Sequence, residues 1–251
     1  MHQLSRFAAM ALAAVGAMGA IACDDDDDDT GPSGPTTTTF TVLIENVSTQ
    51  GTLAVTRLNG VVPLSPGVYA VYSGLNPIFT IGDDSARASE SLQRLAEDGD
   101  NALEAARLAG LTFLEGGTFD APGGPDNSPL IHPGESATFT VTGSPGDRLQ
   151  IVTMFAQSND WFFAFGGAGL DLFSGSTPVE GDVSSQIVIL DAGTEADTPP
   201  GTGDDQAPAQ AAPNTGAADP DSTIRIVSSD TTLAAPPPPV TSVIRVTITG
   251  E

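Results

Sequence analysis

Seven short segments of apolar and β-branched residues, each closed by turn-forming Pro, Gly, Asp, Asn or Ser, constrain this chain to an all-β fold. They are Phe40–Glu45, Ser136–Thr142, Arg148–Phe155, Trp161–Phe165, Ser185–Leu190, Ile224–Val227 and Val243–Thr249. Within Arg148–Phe155, Leu149, Ile151 and Thr153 alternate with Gln150, Val152 and Met154, while Gln186–Leu190 is a compact β-branched run. Turns such as Ser144-Pro-Gly-Asp147 separate the segments. Many short strands with no regularly alternating helices suit an antiparallel sandwich better than an α/β sheet. One helical insertion interrupts the pattern. In Ser89–Ala96 and Asn101–Ala109, divided by Asp98-Gly99-Asp100, residues Leu92, Leu95, Leu103 and Leu108 recur at near-helical spacing. Their stripe is expected to cover an edge of the sandwich, with docking of a partner as the alternative.

The ends of the strands carry the chemistry. Ser158-Asn-Asp-Trp161 follows one strand, and Asp191-Ala-Gly-Thr-Glu195 closes another about thirty positions later, so three carboxylates, Asp160, Asp191 and Glu195, fall on loops at a sheet edge. Calcium takes six to eight oxygen ligands from carboxylates, carbonyls and water at about 2.3–2.6 Å, and loops of this kind supply such a shell. Gly193 permits the tight turn that lets Asp191 and Glu195 face one point. In a chain with 32 acidic residues, solvated surface acids are the alternative reading of the same spacing.

Three stretches, Gln157-Ser-Asn-Asp-Trp-Phe-Phe-Ala164, Leu190-Asp-Ala-Gly-Thr-Glu195 and Ala88-Ser-Glu-Ser-Leu-Gln-Arg-Leu-Ala-Glu-Asp-Gly99, resemble the spondin N-terminal domain family in letters, order and separation. The resemblance covers roughly Phe40–Glu195, and Asp197–Glu251 only loosely. It implies a C2-like antiparallel β-sandwich with a calcium site on loops at one end, as in extracellular matrix proteins of the family. The family's metal-binding acids correspond to Asp160, Asp191 and Glu195, the last being Glu where the animal proteins have Asp. The extra methylene moves the carboxylate outward and alters the geometry it can offer. A calcium-dependent recognition or adhesion module is the function so implied, and a structural envelope domain that uses calcium only for stability is the alternative.

The N-terminal region bears on location. Arg6 precedes an apolar, Ala-rich stretch that ends in Ala20-Ile-Ala-Cys23, and six aspartates, Asp24–Asp29, follow at once. The stretch is shorter than the ~20 residues that span a bilayer, so residues 1–22 read as an export signal. Cys23, the one cysteine of the chain, resembles the lipidated cysteine of a bacterial lipobox, although Ala20 stands where Leu is usual. Residues 23–39, rich in Asp, Gly, Pro and Thr, then form a tether, and 40–251 form the spondin-type domain. Within that domain 197–221 is expected to be a mobile excursion. The expected location is the bacterial envelope, on a lipid anchor, with plain secretion as the alternative.

Composition excludes several functions. Eight basic residues against 32 acids give a net charge of −24, so no basic patch is available to displace phosphate counterions and nucleic acid is not an expected partner. Beyond the leader there is one histidine, His132, and the chain has no lysine, which removes the parts of most triad, Schiff-base and zinc chemistries. A carboxylate-pair glycosidase built on Asp160 and Glu195 is the remaining catalytic alternative, and a non-enzymatic role is expected. The aromatic run should place Trp161, Phe163 and Phe165 on one face and Phe162 on the other. Part of the run, with Trp161 and Phe162 next to the acidic loop, is a candidate contact surface for a protein or carbohydrate ligand or a membrane.

Overall fold

A computed structural model describes residues 37–82, 87–111, 115–121, 128–230, 233 and 235–251. Cys23, the export signal and most of the tether lie outside the described residues. In chain order the elements are β1 (Thr38–Asn46), β2 (Gly67–Tyr72), α1 (Glu90–Asp98), α2 (Ala102–Ala109), β3 (Gly116–Phe119), β4 (Ser136–Gly143), β5 (Arg148–Met154), β6 (Trp161–Phe165), β7 (Leu170–Asp171), β8 (Phe173–Ser174), β9 (Thr177–Pro178), β10 (Gly181–Asp182), β11 (Ile187–Asp191), β12 (Arg225–Ile226) and β13 (Ile244–Gly250).

The longer strands form an antiparallel β-sandwich with a short helical insertion. One sheet runs β10-β13-β1-β4, and the other runs β12-β11-β6-β5-β2-β3, with β7 also paired to β5. In the first sheet β4 alternates strictly between exposed and buried residues, as expected of a strand with one face in water. Its inward set, Ala137, Phe139 and Val141, meets Phe40, Val42 and Ile44 of β1 and Ile244, Val246 and Ile248 of β13 in the core. The second sheet contributes Leu149, Ile151, Trp161, Phe163, Phe165, Ile187 and Ile189 to that core. Phe139 closes the gap between the sheets by stacking on Tyr69 of β2, with ring centroids 4.3 Å apart.

The middle of the second sheet is buried on both faces, so β5 and β6 lack an exposed side. Its outer face, made by Val68, Ala70, Tyr72, Val152, Phe162, Ala164 and Leu190, packs against Leu92, Leu95 and Ala96 of α1 and Leu108 of α2. The helices therefore cover a face of the sandwich, where the sequence pattern suggested an edge. Leu103, counted in the apolar stripe, is 41% exposed, because α2 turns Leu108 to the sheet and leaves Leu103 outside. The start and stop of α1 follow local chemistry. Ser89 Oγ accepts a hydrogen bond from Leu92 N at 3.2 Å, and Gly99 adopts a left-handed φ of 69° while donating to Leu95 O.

Residues 197–221, expected to be mobile, contain no regular strand or helix yet are held by backbone and side-chain hydrogen bonds. Gly201 N donates to Gln157 O at 2.8 Å, and Arg57 Nη1 donates to Gly203 O and to Gln206 Oε1 at 2.8 and 2.9 Å. Gln210 Nε2 and Asn214 N both donate to Asp98 Oδ1 at the end of α1. The segment thus arches from the acidic loop to the helices. No helix among the described residues is long and apolar enough to cross a membrane.

Candidate metal centre

Strand pairing brings the two acidic loops together. In the antiparallel register of β11 and β6, Asp191 is the partner of Trp161, so the last residue of one strand lies beside the residue that follows Asp160. Beyond the strand ends, Ala192 N donates to Asp160 O at 3.2 Å. The turn before β6 is fixed by Ser158, whose hydroxyl donates to Phe155 O at 2.7 Å and accepts from Trp161 N at 3.0 Å. Gly193 has φ of 67°, and a Cβ there would stand 2.7 Å from Thr223 O, so the loop after β11 requires glycine at this position.

Asp160, Asp191 and Asp197 converge, each offering a carboxylate oxygen within 4.8 Å of the others. Asp160 is fully buried, and its Oδ2 accepts from Thr194 N at 2.7 Å, Thr194 Oγ1 at 3.0 Å and Glu195 N at 3.0 Å. Its Oδ1 has no hydrogen-bond partner. Asp191 Oδ1 accepts from Gly193 N at 2.6 Å, whereas its Oδ2 also lacks a hydrogen-bond donor. Asp197 is brought in by the indole of Trp161, whose Nε1 donates to its Oδ1 at 2.7 Å.

The sequence pattern singles out Asp160 and Asp191, and the structure brings their carboxylates together. Glu195 sits beside them through its backbone, but its carboxylate is directed elsewhere. Oε1 accepts from Gly216 N at 2.8 Å and Oε2 from Asn159 Nδ2 at 3.3 Å, so the longer side chain reaches past the point where Asp160 and Asp191 meet. Asp197 stands in the third place. Sequence reasoning passed over it as part of a loose Pro/Gly/Asp-rich segment. The available signal was the single tryptophan, since a buried indole N–H needs an acceptor. Trp161 and Phe162, proposed as partly exposed contact residues, are 1% and 0% exposed. Trp161 faces the inter-sheet core against Phe155, and Phe162 packs under Phe79 and the helices, so neither presents a surface for a ligand.

Concentrated negative charge in a buried site has a measurable consequence. Burial raises the pKa of Asp160 to about 7, partly offset by the backbone N–H groups of Glu195 and Thr194. Asp191 is pushed well above the ordinary carboxylate range by burial and by the charges of Asp160 and Asp197, and Asp197 is raised chiefly by burial. Each shift records a charge the protein alone does not fully solvate. The nearest compensation is Arg225 of β12, whose Nη2 touches Asp191 Oδ2 and lies 3.7 Å from Asp197 Oδ2. One guanidinium against three clustered carboxylates leaves the group electron-rich. Hard oxygen donors, with Asp160 Oδ1 left unmatched, suit a hard divalent cation better than a soft metal, which would want sulfur or nitrogen. Neither the models of known protein families nor the curated proteins give a match to this chain.

Proposed function

We propose that Asp160, Asp191 and Asp197 hold a calcium ion, and that the chain is a spondin-type, calcium-binding recognition or adhesion domain displayed outside the cytoplasm on a lipid tether at Cys23. The observation that carries the metal reading is the orphaned Oδ1 of a fully buried Asp160, next to Asp191 Oδ2, which is met by the Arg225 guanidinium alone. A buried carboxylate oxygen without a donor costs roughly 1–3 kcal/mol or more, and a bound cation removes that cost. Carboxylates from three chain positions together with backbone carbonyls and water make up the kind of mixed oxygen shell that calcium accepts and magnesium, which demands a tighter octahedron, does not favour. Glu195 supports the site from behind by donating its N–H to Asp160 Oδ2.

Burial also favours a specific role for the ion. Since Asp160, Asp191, Trp161 and Phe162 are inaccessible, calcium acts by fixing the 191–197 loop and the arch that follows it, and any recognition surface lies on that arch or on another face. The structural envelope role, with calcium serving stability alone, draws on the same observation. Calcium titration calorimetry on the domain tests the metal reading. Binding of about one ion is expected, abolished in Asp160→Ala/Asp191→Ala and weakened at least about tenfold in Asp197→Asn, the loss of one charged donor. Glu195→Gln is expected to weaken it less. Heat changes that are no larger in the wild type than in the double variant would refute the site.

A further inference from the structure

Arg225 is placed oddly for a counter-ion. It is the cross-strand partner of Asp191, yet its hydrogen bonds go outside the carboxylate triad. Nη2 donates to Asp219 Oδ2 at 2.7 Å, Nη1 to Asp221 O at 2.8 Å and Thr223 O at 3.4 Å, and Nε to Asp230 Oδ2 at 3.3 Å. Asp191 Oδ2, although in contact with Nη2, has no hydrogen-bond donor. An arginine recruited to neutralise a carboxylate ordinarily offers its fork of two parallel N–H groups, and here none of the triad receives it. The triad receives one Nη2 contact, at Asp191 Oδ2, and the charge.

We propose that Arg225 is a fixed counter-charge that remains in place when a cation enters the triad and biases the site towards ions of lower charge. The inference rests on the metal-binding reading above. The anchoring bonds to Asp219, Asp221, Thr223 and Asp230 hold the guanidinium independently of its Nη2 contact with Asp191 Oδ2, so a cation held by Asp160 and Asp191 would leave them intact. A guanidinium does not shed its proton in a protein, so its repulsion of the ion persists. Coulomb repulsion from a fixed charge is proportional to the charge of the ion, and a trivalent ion therefore feels half as much again as a divalent one. Arg225 thus acts as a positioning and selectivity residue, without touching the metal.

Calorimetric titration with calcium and, separately, with lanthanum, in the wild type, Arg225→Gln and Arg225→Lys, tests this. With the charge removed, calcium affinity is expected to rise about tenfold and lanthanum affinity about thirtyfold, the logarithms standing in the ratio of the ionic charges. Arg225→Lys, which retains the charge, is expected to keep the lanthanum-to-calcium ratio within about twofold of the wild type. Arg225→Met, which keeps the aliphatic stem, gives a second charge-removing variant with the same expected gains should Arg225→Gln not fold. Calcium binding in the wild type with no gain, or with equal gains for both ions, in the charge-removing variants overturns the role of Arg225 alone. A ratio shifted by Arg225→Lys as far as by Arg225→Gln overturns it too, by assigning the effect to shape. Failure of the wild type and the variants to bind either ion overturns the metal reading and this inference together.

Discussion

At the scale of single residues, the buried carboxylates of Asp160, Asp191 and Asp197 are expensive to ionise without a cation. Asp160 has a folded pKa raised to about 7, and Asp191 and Asp197 are raised as well. A carboxyl with a raised folded pKa binds its proton more tightly folded than unfolded. Its contribution to stability is complete below the unfolded value of about 4 and is lost as pH rises through the folded value. The metal-free protein, kept so with chelator, should therefore melt several degrees lower at pH 8 than at pH 5, at about 2–4 °C per kcal/mol for a chain of this size. With saturating calcium the ion replaces the proton, and the fall should shrink or reverse. Thermal melts at the two pH values, with and without calcium, check both signs. Asp160 and Asp191 could be singled out in the sequence because one immediately precedes a strand and the other ends one, and strand ends are marked by local pattern. Asp197 could not, since its position depends on the indole of Trp161 and on the path of the chain beyond Glu195, which are tertiary facts. Glu195 shows the converse: its backbone belongs to the site, while its carboxylate is drawn to Gly216 N and Asn159.

At the scale of elements, β-branched runs closed by turn residues were enough to find the strands that carry the site. β6 has the expected bounds, and β1, β4, β5, β11 and β13 differ from expectation by a few residues at most. The strands that were missed had weak or disguised patterns. β2, with the sequence Gly-Val-Tyr-Ala-Val-Tyr, is buried on both faces and so lacks alternation, and β3 opens with two glycines. Gly117 is there for a reason invisible in sequence, because a Cβ would stand 2.7 Å from the hydroxyl oxygen of Tyr69. The helices were legible in period but not in destination. Helical spacing tells which side chains share a face, whereas the choice between an edge and a face of a sheet depends on which strands are already buried. The exposure of Leu103 beside fully buried Leu95 makes this testable. Leu95→Ala should cost roughly 2–5 kcal/mol in urea unfolding through lost burial and a cavity. Leu103→Ala should stay within about 0.5 kcal/mol. Equal losses would mean that α2 packs by a different side.

At the scale of the whole molecule, a net charge of −24 opposes compaction by self-repulsion, and the acidic loop concentrates part of that charge inside the fold. The proposed divalent ion would lower this local cost and hold the start of the arch from Asp197 to Asp221, which reaches α1 through the bonds of Gln210 and Asn214 to Asp98. The proposed envelope location carries its own test. Cys23→Ser should move the protein from the membrane fraction to the soluble extracytoplasmic fraction, and unchanged membrane association would argue against a lipid anchor. Whether the buried carboxylates form a cation site is read most directly by terbium luminescence. The chain has one tryptophan, and its Nε1 lies 2.7 Å from an Asp197 oxygen, so excitation of Trp161 should sensitise a terbium ion held by Asp160, Asp191 and Asp197. Saturable sensitised emission that calcium displaces and Asp160→Asn/Asp191→Asn abolishes is the predicted result. Absent emission, or emission indifferent to calcium and to the double variant, would contradict it.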